Sequence, residues 1–233
     1  MPSLHAALFD LDGTLCNSDN LHFAAWRDEL AAAPRPYVLT YEDYKGRISG
    51  KANVMIAQEF LPYLDANQRA LICSNKESRF RDLASLDGAL LPLDGLLHLI
   101  ASLKSCDIRI ACVTNAPRVN AEFMLMRIGL STAFDHLIIG DECSSSKPSP
   151  EPYLEAMRRF KVEPKTCVIF EDSSSGLAAA CASGAALRVG LCTTHYQHAL
   201  TQMGAHVAFP DYSCLSVEEL RRLHSCACGD GCS

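Results

Sequence analysis

Two aspartates, Asp10 and Asp12, stand one residue apart in the segment FDLDGTL, directly after an apolar run that ends at Phe9. Gly13 permits a tight backbone path behind them, and Thr14 can tie the loop down by hydrogen bonding. Such a pair suits attack on a phosphate ester, where nucleophile and substrate are both anionic and a divalent cation between them removes the repulsion. Magnesium fits, because it takes oxygen ligands and keeps part of its shell for water and substrate. Asp10 can then ligate the cation with one oxygen and attack phosphorus with the other, making an aspartyl-phosphate. Asp12 is placed to protonate the leaving alkoxide and afterwards to deprotonate the hydrolytic water. Two aspartates alone are equally the mark of a solvated turn, so the chemistry depends on what else reaches them.

A second acidic pair, Glu171 and Asp172 in FEDSSSG, supplies the further carboxylates a metal site requires. Acidic residues are also favourable at a helix N-terminus, and a helical pattern follows, so both readings hold together. Thr114 can donate its hydroxyl to a phosphoryl oxygen, with the amides after it opening a helix; the plain alternative is an N-cap. Lys147, in SSSKPSPEPY, sits in a loop stiffened by Pro148 and Pro150. It can balance the charge of Asp10 and a phosphate, although a loop lysine is ordinarily just solvated.

These residues share a position in the pattern. Apolar runs at 5–9, 108–113, 136–139, 166–170 and 186–191 alternate with helical stretches at 119–128, 151–160 and 175–183. That alternation predicts βαβ units and a mostly parallel sheet. The runs stop at Asp10, at Thr114-Asn115, at Gly140-Asp141, at Glu171-Asp172 and at Cys192-Thr193-Thr194. In a parallel sheet the strand C-termini share one edge where ligands bind, so Asp10, Thr114, Asn115, Glu171 and Asp172 are expected to converge there. Residues 21–90 are helical in pattern with no clear strand. The expected architecture is α/β: a Rossmann-like parallel-sheet core, 1–20 with 91–233, carrying an inserted all-helical cap at 21–90.

A chain of 233 residues with 48% hydrophobic and 21% charged residues is ordinary for a globular protein. The net charge of -6 argues against a nucleic-acid binder, since nothing compensates a duplex's phosphates. The opening lacks a basic n-region, and no apolar run approaches the roughly 20 residues of a membrane span. A cytoplasmic monomer acting on a small phosphorylated metabolite is expected, with no membrane or nucleic-acid partner. The twelve cysteines do not suggest a disulfide scaffold, as Cys112, Cys167 and Cys181 fall inside strand-like or helix-like segments. The stretch 224–233, HSCACGDGCS, reads as a mobile Cys-rich tail; His224, Cys226, Cys228 and Cys232 can bind a soft metal, but their spacing matches no common zinc pattern.

Four elements in order, FDLDGTL at 9–15, VTN at 113–115, KP at 147–148 and FEDSSSG at 170–176, resemble the haloacid dehalogenase superfamily of phosphohydrolases over all but the Cys-rich tail. The resemblance implies Asp10 as nucleophile and Asp12 as general acid/base. It implies Mg2+ held by Asp10, the backbone carbonyl of Asp12, and Asp172, with Glu171 nearby. Thr114 and Lys147 would bind the phosphoryl group and Asn115 would help position it. Asp12 departs from the true dehalogenases, which lack the second aspartate. The segments DNLHFAAW and YKGRISGKAN look closest to the branch of β-phosphoglucomutase and plant sugar- or polyol-phosphate phosphatases. There His22 is either a substrate contact or, with Trp26 four residues on, a packing residue of the cap. The mutases carry a cap arginine for a second phosphate where this chain has Ser49, flanked by Arg47 and Lys51. The implied activity is a phosphatase for sugar or polyol phosphates; the alternative is a phosphosugar mutase.

Overall fold

The computed structural model describes residues 3–229. Six parallel strands make one sheet: β1 (Ala6–Phe9), β2 (Arg109–Thr114), β3 (His136–Ile139), β4 (Cys167–Glu171), β5 (Leu187–Leu191) and β6 (Val207–Phe209), in the order β3-β2-β1-β4-β5-β6. The central strands read as continuous apolar runs because helices cover both faces. Every residue of β1 and β4 is buried. The order reverses between β1 and β4, and a crevice opens beyond the carboxyl ends of strands at such a point. This is the Rossmann-like α/β class expected from the alternation of runs.

Side-chain alternation splits the core into two layers. Leu8, Val113 and Ile169 face one way and pack with Tyr153, Met157 and Phe160. Phe9 and Phe170 face the other way and stack with centroids 4.5 Å apart, with Tyr212 5.6 Å from Phe170. Burying each of these large side chains contributes about 1.5–3 kcal/mol. Tyr212 also donates its hydroxyl to the Thr14 carbonyl at 3.0 Å, so the aromatic layer beneath β1 holds the loop that carries Asp10 and Asp12. Thr14 was expected to tie that loop with its side chain, but its buried Oγ1 has no hydrogen-bond partner among the described residues. Backbone bonds do the work: Thr14 and Leu15 donate to the Leu11 carbonyl.

The chain forms two compact units, one of residues up to Asn17 with those from Leu91 onward, the other Ser18–Leu90. The second unit contains α1 (Asp19–Ala32), α2 (Tyr41–Asp43) running into a π-helical turn (Tyr44–Ile48), α3 (Asn53–Phe60) and α4 (Ala66–Ala84). It starts at Ser18 rather than at 21, because the Ser18 carbonyl accepts from Leu21 and His22 and so belongs to the first turn of α1. A reciprocal capping box between Asp65 and Gln68 opens α4. Trp26, Leu30, Leu39, Tyr44, Ile56, Phe60 and Leu61 form this unit's own core, which gives Trp26 the packing role.

In the sheet-bearing unit the helices are α5 (Leu96–Ser105), α6 (Arg118–Arg127), α7 (Glu151–Phe160), α8 (Ser174–Ala182), α9 (Gln197–Gln202) and α10 (Val217–Ala227). The last of these corrects the reading of a mobile tail from residue 224. Ser216 caps α10 by accepting from Glu219, and the helix buries Val217, Leu220 and His224 on one face. Burial lowers the His224 pKa, so a neutral imidazole donates Nε2–H to the Lys165 carbonyl at 2.9 Å. His224 is thus a core residue rather than a metal ligand. Cys232, another member of the suggested soft-metal set, lies outside the described residues.

Candidate active site

The convergence expected at the sheet edge is found, and it is held by one cation. Asp10 follows β1, Thr114 ends β2, Glu171 ends β4 and Asp172 follows it, while Lys147 arrives from the loop between β3 and α7. Lys147 Nζ donates to Asp10 Oδ1 at 2.7 Å, to the Val113 carbonyl at 2.7 Å and to Glu171 Oε1 at 2.8 Å. An ammonium has three N–H groups, so all are used. Its residue is only 6% exposed, and the ring of Tyr153 lies 4.7 Å beneath the nitrogen. Burial alone would lower the Lys147 pKa, but the Asp10 and Glu171 carboxylates outweigh it and push the ammonium above its ordinary value. Lys147 was expected to bind phosphate; here it is bonded to protein groups, and a phosphoryl oxygen would have to take over one of those bonds.

Among the described residues, Asp10, Glu171 and Asp172 form a group of buried carboxylates with ligand oxygens within 4.8 Å of one another. Burial pushes Asp10 up to about 7, aided by Glu171 and Asp12 and opposed by Lys147. Asp172 is likewise raised well above the carboxylate range by burial, Asp10 and Glu171, against a hydrogen bond from Thr194. Three acidic groups thus share one buried cation, an excess of negative charge in a water-poor site. Oxygen donors in that state suit a hard divalent ion. Glu171 contributes least to such an ion. Its Oε1 accepts from Lys147 and from Tyr153 Oη at 2.7 Å, and its Oε2 from the Asp172 amide and both the amide and hydroxyl of Ser173. Those bonds saturate it, leaving Asp10 and Asp172 as the side chains with oxygens to offer.

Asp12 is half-buried in the loop after β1 and close enough to Asp10 to raise its pKa. Thr114, 1% exposed, accepts the Ala116 amide at 2.9 Å, which bends the chain into the turn before α6. Asn115 does something other than expected. Its Nδ2 donates to the Lys147 carbonyl at 3.0 Å and its Oδ1 accepts from the Lys147 amide at 3.1 Å, so both ends of the amide clamp the lysine loop. Gly140 leaves the space this clamp needs, since a Cβ there would overlap Asn115 Oδ1.

Sequence reasoning missed Tyr153, Ser173, Thr193 and Thr194. Thr193 and Thr194 lie where the fifth apolar run stops, so the same edge rule points to them. Tyr153 carried no such signal, as an aromatic on the apolar face of a helix reads as core. His22, Arg47 and Lys51 all lie in the helical unit. His22 Nδ1 is 2.9 Å from Lys76 Nζ, and its ring stacks on Phe80 at 4.2 Å. Arg47 and Lys51 both bind Glu59, at 2.9 and 3.1 Å, and Arg47 also covers the Phe60 ring.

A pH dependence follows from Asp10. In the unfolded chain the carboxyl titrates near 3.8, whereas in the fold it holds its proton to about 7. The metal-free fold therefore gains from Asp10 below the lower value and loses that gain as pH rises through about 7. A divalent cation must displace the proton, so the rise in Tm on adding saturating magnesium is expected to be larger at pH 8 than at pH 5.5. Equal rises at both pH values in a thermal-shift titration would remove these carboxylates as the cation site.

Similarities to known proteins bear on this geometry. The chain matches the model of the haloacid dehalogenase-like hydrolase family over residues 4–184. It is 32% identical over 186 residues to a phosphorylated carbohydrates phosphatase of Thermotoga maritima, covering 78% of this chain and 82% of that one. A crystal structure of a family IA, variant 3 HAD hydrolase from Entamoeba histolytica superposes with a TM-score of 0.85 at 25% identity, covering 95% of this chain and 99% of the other. A mutant CbbY from Rhodobacter sphaeroides, solved in complex with xylulose-(1,5)bisphosphate, superposes with a TM-score of 0.79 at 27% identity, covering 91% and 96%.

Proposed function

The chain belongs to the haloacid dehalogenase-like hydrolases, and we propose that within this family it is a magnesium-dependent phosphatase of small sugar or polyol phosphates. The reaction runs through an aspartyl-phosphate on Asp10. One observation carries the reading: the carboxylate at the end of the central strand is buried against Lys147 and beside Asp172. Asp10 and Asp172, with the Asp12 carbonyl, would hold magnesium, which would supply charge neutralisation for the phosphoryl oxygens. Asp10 has Oδ1 fixed by Lys147 and presents Oδ2 as the nucleophilic oxygen. Asp12 gives its proton to the departing alkoxide and takes one from the water that hydrolyses the acyl-phosphate. Thr114 offers its hydroxyl hydrogen to the phosphoryl group, its oxygen already engaged by the Ala116 amide. Lys147 balances the charge, and Asn115 keeps it in place.

The substrate class draws support from a relative named for phosphorylated carbohydrates and from the CbbY complex with a sugar bisphosphate. Substrate selection is assigned to the helical unit, with His22, Arg47 and Lys51 as its polar residues. Glu59, shared by Arg47 and Lys51, offsets one of the two charges they could offer a second phosphate. Transfer to water is therefore favoured over return of the phosphoryl group to a phosphosugar. The buried thiols Cys16, Cys112 and Cys167 are free, in keeping with a cytoplasmic setting.

Phosphate release across a panel of sugar and polyol phosphates, with magnesium and then with chelator, tests this function. Release from several substrates that stops on chelation is the expected result. No release, with a hexose 1-phosphate converted to its 6-phosphate once a bisphosphate primer is added, would instead establish the mutase.

A further inference from the structure

The loop that leaves β5 has no role in the chemistry assigned so far, yet it touches both parts of the acidic site. Because β5 pairs with β4, with Gly190 opposite Glu171, the chain beyond it emerges beside Asp172. Thr194 Oγ1 donates to Asp172 Oδ2. Thr193 Oγ1 lies 2.5 Å from the Gly13 carbonyl oxygen and 3.4 Å from Asp172 Oδ2. A hydroxyl has one proton, so the shorter contact takes that of Thr193 and Thr194 serves the carboxylate. Gly13, at φ +75, also borders the carboxylate, where a Cβ would overlap it. Asp172 Oδ2 is thereby enclosed, whereas Oδ1 accepts no hydrogen bond from the described residues.

These contacts restrain the rotation of the Asp172 carboxylate. It stands among other carboxylates that repel it, and its side-chain torsion is broad and soft. We propose that Thr193 and Thr194 are positioning residues for the divalent cation. Thr194 locks Asp172 with one oxygen directed to the ion, and Thr193 pins the Asp12–Gly13 turn through the Gly13 carbonyl. This rests on the reading of Asp10 and Asp172 as cation ligands. Oriented partners of ligating carboxylates typically change metal affinity by about 10–100-fold when removed.

The test is calorimetric titration of magnesium into the substrate-free full chain, for the parent, Asp172→Asn, Thr194→Val, Thr194→Ala and Thr194→Ser, each checked for its fold by circular dichroism. Thr194→Val and Thr194→Ala are expected to weaken magnesium binding by about 10-fold or more, and Thr194→Ser, which keeps the hydroxyl, to stay within about 2-fold of the parent. At saturating magnesium, kcat should recover in Thr194→Ala far more than in Asp172→Asn. Should Thr194→Val not fold, the Ala and Ser pair carries the comparison. Parental affinity in folded Thr194→Ala, with binding lost in Asp172→Asn, would overturn the positioning role and leave the phosphatase reading standing. Absence of magnesium binding in the parent would overturn that reading, and this one with it.

Discussion

Asp10→Asn is expected to lose turnover by about 10⁴-fold or more, as removal of an enzymic nucleophile typically does. The amide oxygen is a poor nucleophile and forms no stable acyl-phosphate. The loss should come without loss of fold, and the electrostatics say why. Asn Oδ1 can still accept from Lys147, the bond that Asp10 Oδ1 makes at 2.7 Å. At the same time one of the buried carboxylates that crowd a single ammonium disappears. Since burial holds the Asp10 proton to about 7, keeping this group ionised at pH 8 costs the metal-free fold stability, and asparagine removes that cost. In chelator at pH 8 the variant should melt no lower than the parent, with the difference narrowing as pH falls below about 7 and closing only below about 3.8. Single-turnover phosphate release and thermal melts on the same samples check both halves. Activity within 10-fold of the parent would end the nucleophile assignment. A melt far below the parent would make Asp10 a structural residue.

Lys147→Met is expected to have the largest effect on stability. Methionine keeps much of the stem's bulk but removes every bond the ammonium makes, to Asp10, the Val113 carbonyl and Glu171. Breaking a buried ion pair by deleting one partner costs about 3–5 kcal/mol, because the other charge stays buried without compensation. Here more than one carboxylate is left behind, so the upper part of that range applies. Against a total stability of about 5–15 kcal/mol, the metal-free variant should be marginally folded at pH 8. The loss should shrink as pH falls, since Asp10 and Asp172, already raised by burial, then take up protons. Magnesium should restore part of it by replacing the missing positive charge. Urea unfolding at pH 5.5 and 8, with and without magnesium, measures these differences. A cost under about 1 kcal/mol at pH 8 would mean that Lys147 is no more than a surface-like ion pair.

The two substitutions differ because the site is over-supplied with negative charge and has one cation to meet it. Removing an acid relieves the imbalance, and removing the base exposes it. That charge balance is not visible along the chain. Lys147 was legible as a candidate because it follows the third strand, and Asp10, Thr114 and Asp172 because each ends an apolar run. Asn115 was legible as a member of the edge but not as the clamp on the lysine backbone, since an amide's partners depend on which loop faces it. Tyr153 was hidden in an apolar helical face. Residues 195–216 give no readable period, because β6 has only three residues and α9 only six. The end of α10 reads in sequence as a mobile tail because cysteine, glycine and serine crowd 224–233, whereas the packing of Leu220 and His224 decides its structure.

Taken alone, the order of residues determined the α/β class, the helical insert and the place of Asp10 and Asp12 directly after an apolar run. Parallel strands buried on both faces read as apolar runs, and a polar residue that ends such a run must sit at the sheet edge. The tertiary structure decided who neutralises whom. Lys147 meets Asp10 and Glu171, Tyr153 and Ser173 saturate Glu171, and Thr194 donates to Asp172. Those pairings join residues up to 137 positions apart. They are set by distances of a few ångströms between loops, to which local pattern along the chain is blind.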